Sequence, residues 1–216
     1  MVQLFHYHWW LMNPEKMETF YKEMGFQVIL RLGREHNETK SFNPPLEWDD
    51  FRHQPIAFRI IEMRKGKTNL TFGQGKRNQF DHIGFLVDHD EYKRILSNAR
   101  QRGWKINEGD RRTFVATPWK FRIELQKRKN TVTNDEDMYI KRMSITLPFH
   151  QESPEVLAEL FDAKAIREHP EHIKVMGDEW CLSFSHAEDL RLHSIEFDSQ
   201  HSFQQVDPVG TILQSS

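Results

Sequence analysis

Residues 80–87 read Phe-Asp-His-Ile-Gly-Phe-Leu-Val, an apolar run of strand length broken by one histidine near its start. Successive side chains of a strand point to opposite faces, so Ile83, Phe85 and Val87 share one face and His82, Gly84 and Leu86 the other. The first face is uniformly apolar and suited to lie under a helix. The second sets an imidazole beside a residue with no side chain. Such a gap suits a ligand or a metal, and it equally suits a tightly packed core histidine.

The flanking segments decide the context, because they repeat. Residues 3–12 are aromatic-rich and free of Gly and Pro, as expected of a strand. Asn13-Pro14-Glu15 then supplies a capping side chain, a proline at the first helical position and an acid in the first turn. Met17, Phe20, Tyr21 and Met24 recur at helical spacing, and Gly25 is placed to end the helix. Strands are expected at 26–32, 56–63 and 69–72. The order restarts with Phe80–Val87, a helix over 89–102 closed by Gly103, and strands at 104–107, 112–117 and 120–126. After a polar linker at 127–137 it restarts with Met143–Phe149, a helix start at Ser153-Pro154-Glu155, and strands near 172–176 and 180–185. A fourth, shortened copy begins at Leu190–Phe197 and passes without a helix to Phe203–Gln214. Gly33–Pro55 is polar, holds three prolines and fits no unit, so it is expected to be a long loop.

Composition bounds the function classes. The chain has 216 residues, enough for one large domain or two small ones, with 29% charged and 38% hydrophobic residues, which suits a globular protein. A net charge of −2 gives no electrostatic reason to expect a nucleic acid or an anionic membrane as partner. No apolar run is long enough to span a bilayer, and the N-terminus carries no signal-peptide pattern, so a cytoplasmic location is the expectation. The single Cys181 excludes an intrachain disulfide and a cysteine-based zinc knuckle. Gly66-Lys67-Thr68 lacks the upstream glycine of a phosphate loop, its place being taken by Ile61. His169 and His172 flank a polar turn and are expected to be solvated. Trp9, Trp10, Trp104 and Trp119 lie at strand spacing and are expected in the core.

Three stretches resemble a known family. His6 to Asn13 followed by Phe20-Tyr21 and Gly25-Phe26, then Asp81-His82-Ile83-Gly84-Phe85, and then Thr117-Pro118-Trp119-Lys120-Phe121-Arg122-Ile123-Glu124 look like module openings and a module close of the vicinal oxygen chelate superfamily. That superfamily comprises the glyoxalases, bleomycin-resistance proteins and extradiol dioxygenases. The resemblance implies an α+β fold of repeated βαβββ modules, two of them paired into a cupped sheet around a site and followed by a degenerate second pair. Residues 1–128 would form the site-bearing domain and 138–216 the shortened second one.

The resemblance also implies a metal site made by His6, His82 and Glu124. Two imidazoles and a carboxylate on one face leave open coordination positions, which suits Fe(II) or Mn(II), with Zn(II) as the alternative. His8 lies on the face of His6, but the spacing to Asn13 favours His6 as ligand. His8 is then a candidate general base or partner of a ligand, and Arg122, on the face of Glu124, a candidate to neutralise an anionic substrate group. The expected function is a metal-dependent enzyme acting on a small oxygen-bearing substrate, leaning towards a catechol-type ring-cleaving dioxygenase. A glyoxalase-type lyase, isomerase or thiol transferase is one alternative, and a metal-free binding or resistance protein another. The partner would be a small molecule, and the chain a monomer or homodimer. In the C-terminal half, Ser144 and Thr146 stand where a histidine would be needed, Gln214 takes the glutamate position, and His193 alone remains.

Overall fold

The computed structural model describes residues 2–133, 138–149 and 152–215. Its first strand, β1 (Val2–Leu11), leads into helix α1 (Pro14–Glu23), whose start is capped by Asn13 Oδ1 accepting from the Lys16 amide at 3.0 Å. Gly25, at φ +87°, ends that turn in a left-handed conformation that other residues rarely adopt. Strands β2 (Gln27–Glu35), β3 (Glu38–Ser41), β4 (Ala57–Lys65) and β5 (Thr68–Gln74) follow, with a short helix α2 (Trp48–Phe51) between β3 and β4. The second unit repeats this with β6 (Gln79–Val87), helix α3 (His89–Gln101), β7 (Ile106–Glu108), β8 (Thr113–Ala116) and β9 (Arg122–Gln126). These strands form one nine-stranded sheet in the order β3-β2-β4-β5-β1-β6-β9-β8-β7. The two opening strands, β1 and β6, lie antiparallel at its centre.

The C-terminal half rebuilds the same plan. Strand β10 (Tyr139–Leu147), helix α4 (Val156–Phe161), β11 (Lys164–His169), β12 (His172–Met176) and β13 (Cys181–His186) make a third unit. The fourth has β14 (Arg191–Asp198), β15 (Phe203–Val206) and β16 (Ile212–Ser215) and no helix. They form a seven-stranded sheet, β11-β12-β13-β10-β14-β16-β15, again with the two opening strands adjacent and antiparallel. The architecture is α+β, built of βαβββ units in open sheets.

One apolar core runs through both sheets. Ile83, Phe85 and Val87 bury the face expected to be apolar. Phe85 packs on Phe161 of α4 and on Trp180, with ring centroids 4.4 and 5.0 Å away. Helices α3 and α4 are also tied polar to polar, as Arg94 and Asn98 donate to the Phe161 and Glu159 carbonyls at 2.8 and 2.9 Å. The turn between β15 and β16 sits near α1. There Asp207 is buried with Oδ2 lacking a hydrogen-bond partner, and its charge is felt by the paired phenols of Tyr7 and Tyr21. Burial pushes its carboxyl up to about 6, against the pull of the Thr211 and Val209 amides.

Three sequence expectations change. Gly33–Pro55 is not an unstructured loop: β2 extends to Glu35, β3 completes a hairpin and α2 follows. Phe42 and Phe51 bury against Phe58, and Arg31, wholly buried, grips Glu18 through two bonds of 2.7 and 2.6 Å while donating to the Phe42 and Leu46 carbonyls. Those partners are distant in sequence, and no local periodicity announces them. The strand β11 is also new; its alternation is mostly charged because it is an exposed sheet edge. His172, in the hairpin β11–β12, is half-buried and bonded to Ser185 at 3.0 Å rather than freely solvated. Trp9 and Trp119 are core residues as expected, while Trp10 and Trp104 are half-buried.

Candidate metal centre

Register places the site. In the β1–β6 pair His6 faces Gly84 and His8 faces His82, and β6 pairs in parallel with β9 so that Gly84 is level with Glu124. His6 and Glu124 therefore flank a glycine, and the gap has a measurable use. A Cβ at residue 84 would lie 2.8 Å from the His6 Cβ and 3.0 Å from its ring, so the imidazole occupies the space that glycine leaves. The register slips between His8 and Trp9 because Asp81 is an extra residue on β6. That bulge puts the Asp81 carboxylate beside the ring of its neighbour, at 2.6 Å from His82 Nδ1.

His6, His82 and Glu124 converge. His6 Nε2 is 3.1 Å from His82 Nε2 and 3.9 Å from Glu124 Oε2, and His82 Nε2 is 3.3 Å from the same oxygen. All three residues are at most 3% exposed. Among the described residues they are the one group of three or more His, Cys, Asp or Glu side chains whose ligand atoms all lie within 4.8 Å of one another. Ligand atoms each about 2.1 Å from a shared ion lie at most about 4.2 Å apart, so all three separations fit a common centre.

Tautomers follow from the outer partners. His6 Nδ1 lies 3.0 Å from the Asn69 carbonyl and 2.9 Å from Asn69 Oδ1, both acceptors, so it carries the proton. The amide orientation of Asn69 is itself set, because its Nδ2 donates to Glu62 and to the Thr131 carbonyl, each at 2.8 Å. His82 Nδ1 likewise donates to Asp81. Both Nε2 atoms then turn towards Glu124, and three acceptor atoms crowd one point. Such a cluster is suited to a cation between its atoms, either a proton or a metal ion. Burial brings His6 down to about 4, partly opposed by Glu124. Burial raises the Glu124 carboxyl, but the His82 hydrogen bond and the neighbouring imidazoles outweigh it and hold it at about 2. Both groups are thus in ligand form at neutral pH.

The two other sequence candidates take places beside this centre. His8 stacks on His82 with centroids 4.7 Å apart and planes 7° apart, bonds Thr71 Oγ1 through Nδ1 at 2.6 Å, and leaves Nε2 buried without a partner. Burial, followed by the adjacent imidazoles, pushes its pKa well below the usual histidine value. Arg122 is ion-paired to Asp81 and stacked over Phe114 at 4.3 Å, so its guanidinium is engaged behind His82. Asp81, Asn69, Thr71 and Arg112 were not expected. Asp81 was visible as the acid preceding His82; Asn69, Thr71 and Arg112 become neighbours only through strand pairing. Arg112 Nη1 reaches Glu124 Oε2 at 3.4 Å.

The C-terminal sheet has the same frame without the set. Its two register slips fall at matching places, so His6 is answered by Arg142, His8 by Ser144, His82 by Ser194, Gly84 by Glu196 and Glu124 by Gln214. Gln214 stands as expected. The position answering His6 is Arg142 rather than Ser144 or Thr146, because Ser144, paired with Ser194, answers His8, and the residue answering His6 lies two places earlier beside Glu196. His193 is the bulge residue that answers Asp81, not a remaining ligand position. Arg142 pairs with Glu196 at 2.8 Å across the space where the first sheet holds its centre.

Comparison with solved structures matches this arrangement as a fold. The halotolerant catechol dioxygenase BphC superposes at TM-score 0.68 with 11% identity, over 99% of this chain and 85% of that one. The 2,3-dioxygenase LapB from Pseudomonas sp. KL28 gives 0.65 with 12% identity, over 99% and 91%. Homoprotocatechuate 2,3-dioxygenase from Arthrobacter globiformis gives 0.65 with 11% identity, over 100% and 80%. No protein-family model matches the chain, and no curated protein matches it in sequence. The chain has the fold of the vicinal oxygen chelate superfamily. Within that fold, the solved structures it is similar to include ring-cleaving dioxygenases. No helix among the described residues is long and apolar enough to cross a membrane.

Proposed function

We propose that the chain is a metal-dependent dioxygenase that opens the ring of a small catechol-type substrate. The observation that carries this reading is the buried convergence of His6, His82 and Glu124, with both imidazoles oriented by outer partners. Two histidines and one carboxylate leave positions open for substrate and O₂, the donor set of non-haem Fe(II) oxygenases, with Mn(II) the next choice. The ion, when bound, would supply Lewis acidity towards the substrate oxygens and a site for O₂. The balanced reaction adds both atoms of O₂ to the diol and breaks one ring C–C bond, needing no further reductant.

The chain's own groups divide the remaining work. Asn69 and Asp81 keep the ligand rings in one tautomer and orientation. Arg122 acts through Asp81 as a positioning residue, since its charge is committed there. His8, held neutral and stacked on His82, acts as the packing partner of that ligand ring, since it does not line the cavity before His6 and Glu124. Leu30, Leu32 and Ile60 supply an apolar wall to a cavity of about 190 Å³ in front of His6 and Glu124. That volume is below the roughly 300–1,000 Å³ of pockets for drug-sized ligands, as a small substrate requires.

The test is metal analysis followed by anaerobic loading with Fe(II) and oxygen uptake on a catechol panel. One O₂ consumed per substrate, with a product heavier by two oxygen atoms, is the expected result. Absence of stoichiometric divalent metal binding would sink the proposal.

A further inference from the structure

The two ligand imidazoles are oriented by unlike partners. His82 donates to the Asp81 carboxylate, which only accepts, whereas His6 donates to the side chain of Asn69, an amide with an acceptor at one end and a donor at the other. Strand pairing shows what fixes that amide. Asn69 on β5 is level with His6 on β1 and with Arg64 on β4, so Glu62, two residues before Arg64, is its diagonal neighbour on the same face. Asn69 is 4% exposed, and its Nδ2 donates to Glu62 Oε1 and to the Thr131 carbonyl, each at 2.8 Å. Arg64 holds the same Glu62 oxygen through Nε at 2.7 Å and Nη2 at 2.5 Å, and its Nη1 donates to the Asn130 carbonyl at 2.8 Å. The contacts thus run from His6 through Asn69 and Glu62 to Arg64, with two carbonyls supplied by the segment after β9.

Turning the Asn69 amide over would set its oxygen against two acceptors, the Glu62 carboxylate and the Thr131 carbonyl, and its NH₂ against His6 Nδ1. That nitrogen would then accept, Nε2 would carry the proton, and His6 would have no lone pair to offer a metal at Nε2. From this we infer that Glu62 is a positioning residue for the metal centre, which acts through Asn69 to hold His6 in the tautomer with its proton on Nδ1. The Asn69 backbone carbonyl, 3.0 Å from the same nitrogen, pulls the same way, so removing Glu62 weakens the lock without abolishing it. Arg64 balances the charge of Glu62 and leaves the amide to be oriented by hydrogen bonding. The inference rests on the proposed metal centre for its consequence, and on the hydrogen-bond chain alone for the tautomer.

The test reads the tautomer and the metal separately, on the full chain. With isotope-labelled histidine in the metal-free protein, nitrogen NMR should show His6, assigned by its loss in His6→Ala, protonated on Nδ1. Glu62→Leu and Glu62→Val, both compatible with a strand, should move part of that signal to the Nε2–H form. Glu62→Gln, which keeps an acceptor oxygen, should restore it. In anaerobic calorimetry with Fe(II) alone, Glu62→Leu and Glu62→Val should bind about tenfold more weakly, with Glu62→Gln close to the unaltered chain. Arg64→Gln removes the ion pair but leaves the carboxylate on Asn69, so it should lower the melting temperature without moving the tautomer. An unchanged His6 tautomer in both Glu62→Leu and Glu62→Val, or an equal shift in Arg64→Gln, overturns the inference. Fe(II) binding without any tautomer shift keeps the metal centre and rejects the inference. A tautomer shift in a chain that binds no Fe(II) upholds the lock and rejects the metal centre.

Discussion

Two sheets of one design stand in this chain, and among the described residues one of them gathers a buried group of three that could hold a metal. The N-terminal sheet sets His6, Gly84, His82 and Glu124 at the registered positions; the C-terminal sheet sets Arg142, Glu196, Ser194 and Gln214 there. The contrast at the glycine is the most instructive. Gly84 makes room for the ring of His6, whereas Glu196 fills that room and ties up the arginine that replaces the histidine. The same bulges in the same places show that the backbone frame survives while its chemistry changes. A conserved path of strands is thus insufficient for a metal centre; the donor set and the vacancy beside it both have to be present.

The largest effect that would break this comparison is loss of a donor. His82→Ala or Glu124→Ala should abolish stoichiometric metal binding, measured by metal analysis after dialysis, because two remaining ligands do not hold a divalent ion. A smaller loss is expected from Asp81→Asn, which keeps the shape but weakens the orientation of His82. Metal affinity should fall about 10–100-fold with the melting temperature little changed. Unaltered affinity there would make the Asp81 bulge incidental.

The Asp207 joint sharpens the comparison from the other side, since a residue of the second half is buried towards Tyr7 and Tyr21 of the first. Its folded pKa of about 6 lies above the ordinary carboxylate value. The folded state therefore binds the proton more tightly. The resulting contribution is fully present below about pH 4 and is lost as pH rises through about 6. Asp207→Asn should raise stability at pH 7 by of order 2–3 kcal/mol and flatten this part of the pH profile in denaturant titrations. Gly84→Ala is expected to cost about 1–3 kcal/mol by overpacking against His6, and to weaken metal binding at the same time. The mildest change is Arg142→Gln. Its pair with Glu196 is partly exposed, so a stability loss of about 1 kcal/mol or less is expected, with metal content unchanged.

Part of the candidate centre was legible in the chain, the faces of the opening strands through parity and the set of three through the family resemblance. Alternation put His82 beside Gly84 and Glu124 on the face of Arg122, and the resemblance singled out His6, His82 and Glu124 as the set. What failed did so for definable reasons. Only the pairing of the opening strands fixes which residue answers which, so the residue answering His6 is Arg142, two places before Ser144, which answers His8. The 33–55 segment is ordered by Arg31 and a cluster of aromatics that come together only when the chain folds.

The sequence by itself determined the repeated order of the main elements and the apolar and polar faces of the opening strands, since each follows from local periodicity or from a repeat; the three candidate donors came from the family resemblance. Only the tertiary structure decided the rest. It brought Asn69 to His6, committed Arg122 to Asp81, left His8 Nε2 without a partner and joined Glu62 to Asn69. These relations join strands far apart in the chain, and a register offset of one residue would have sent each side chain to the opposite face.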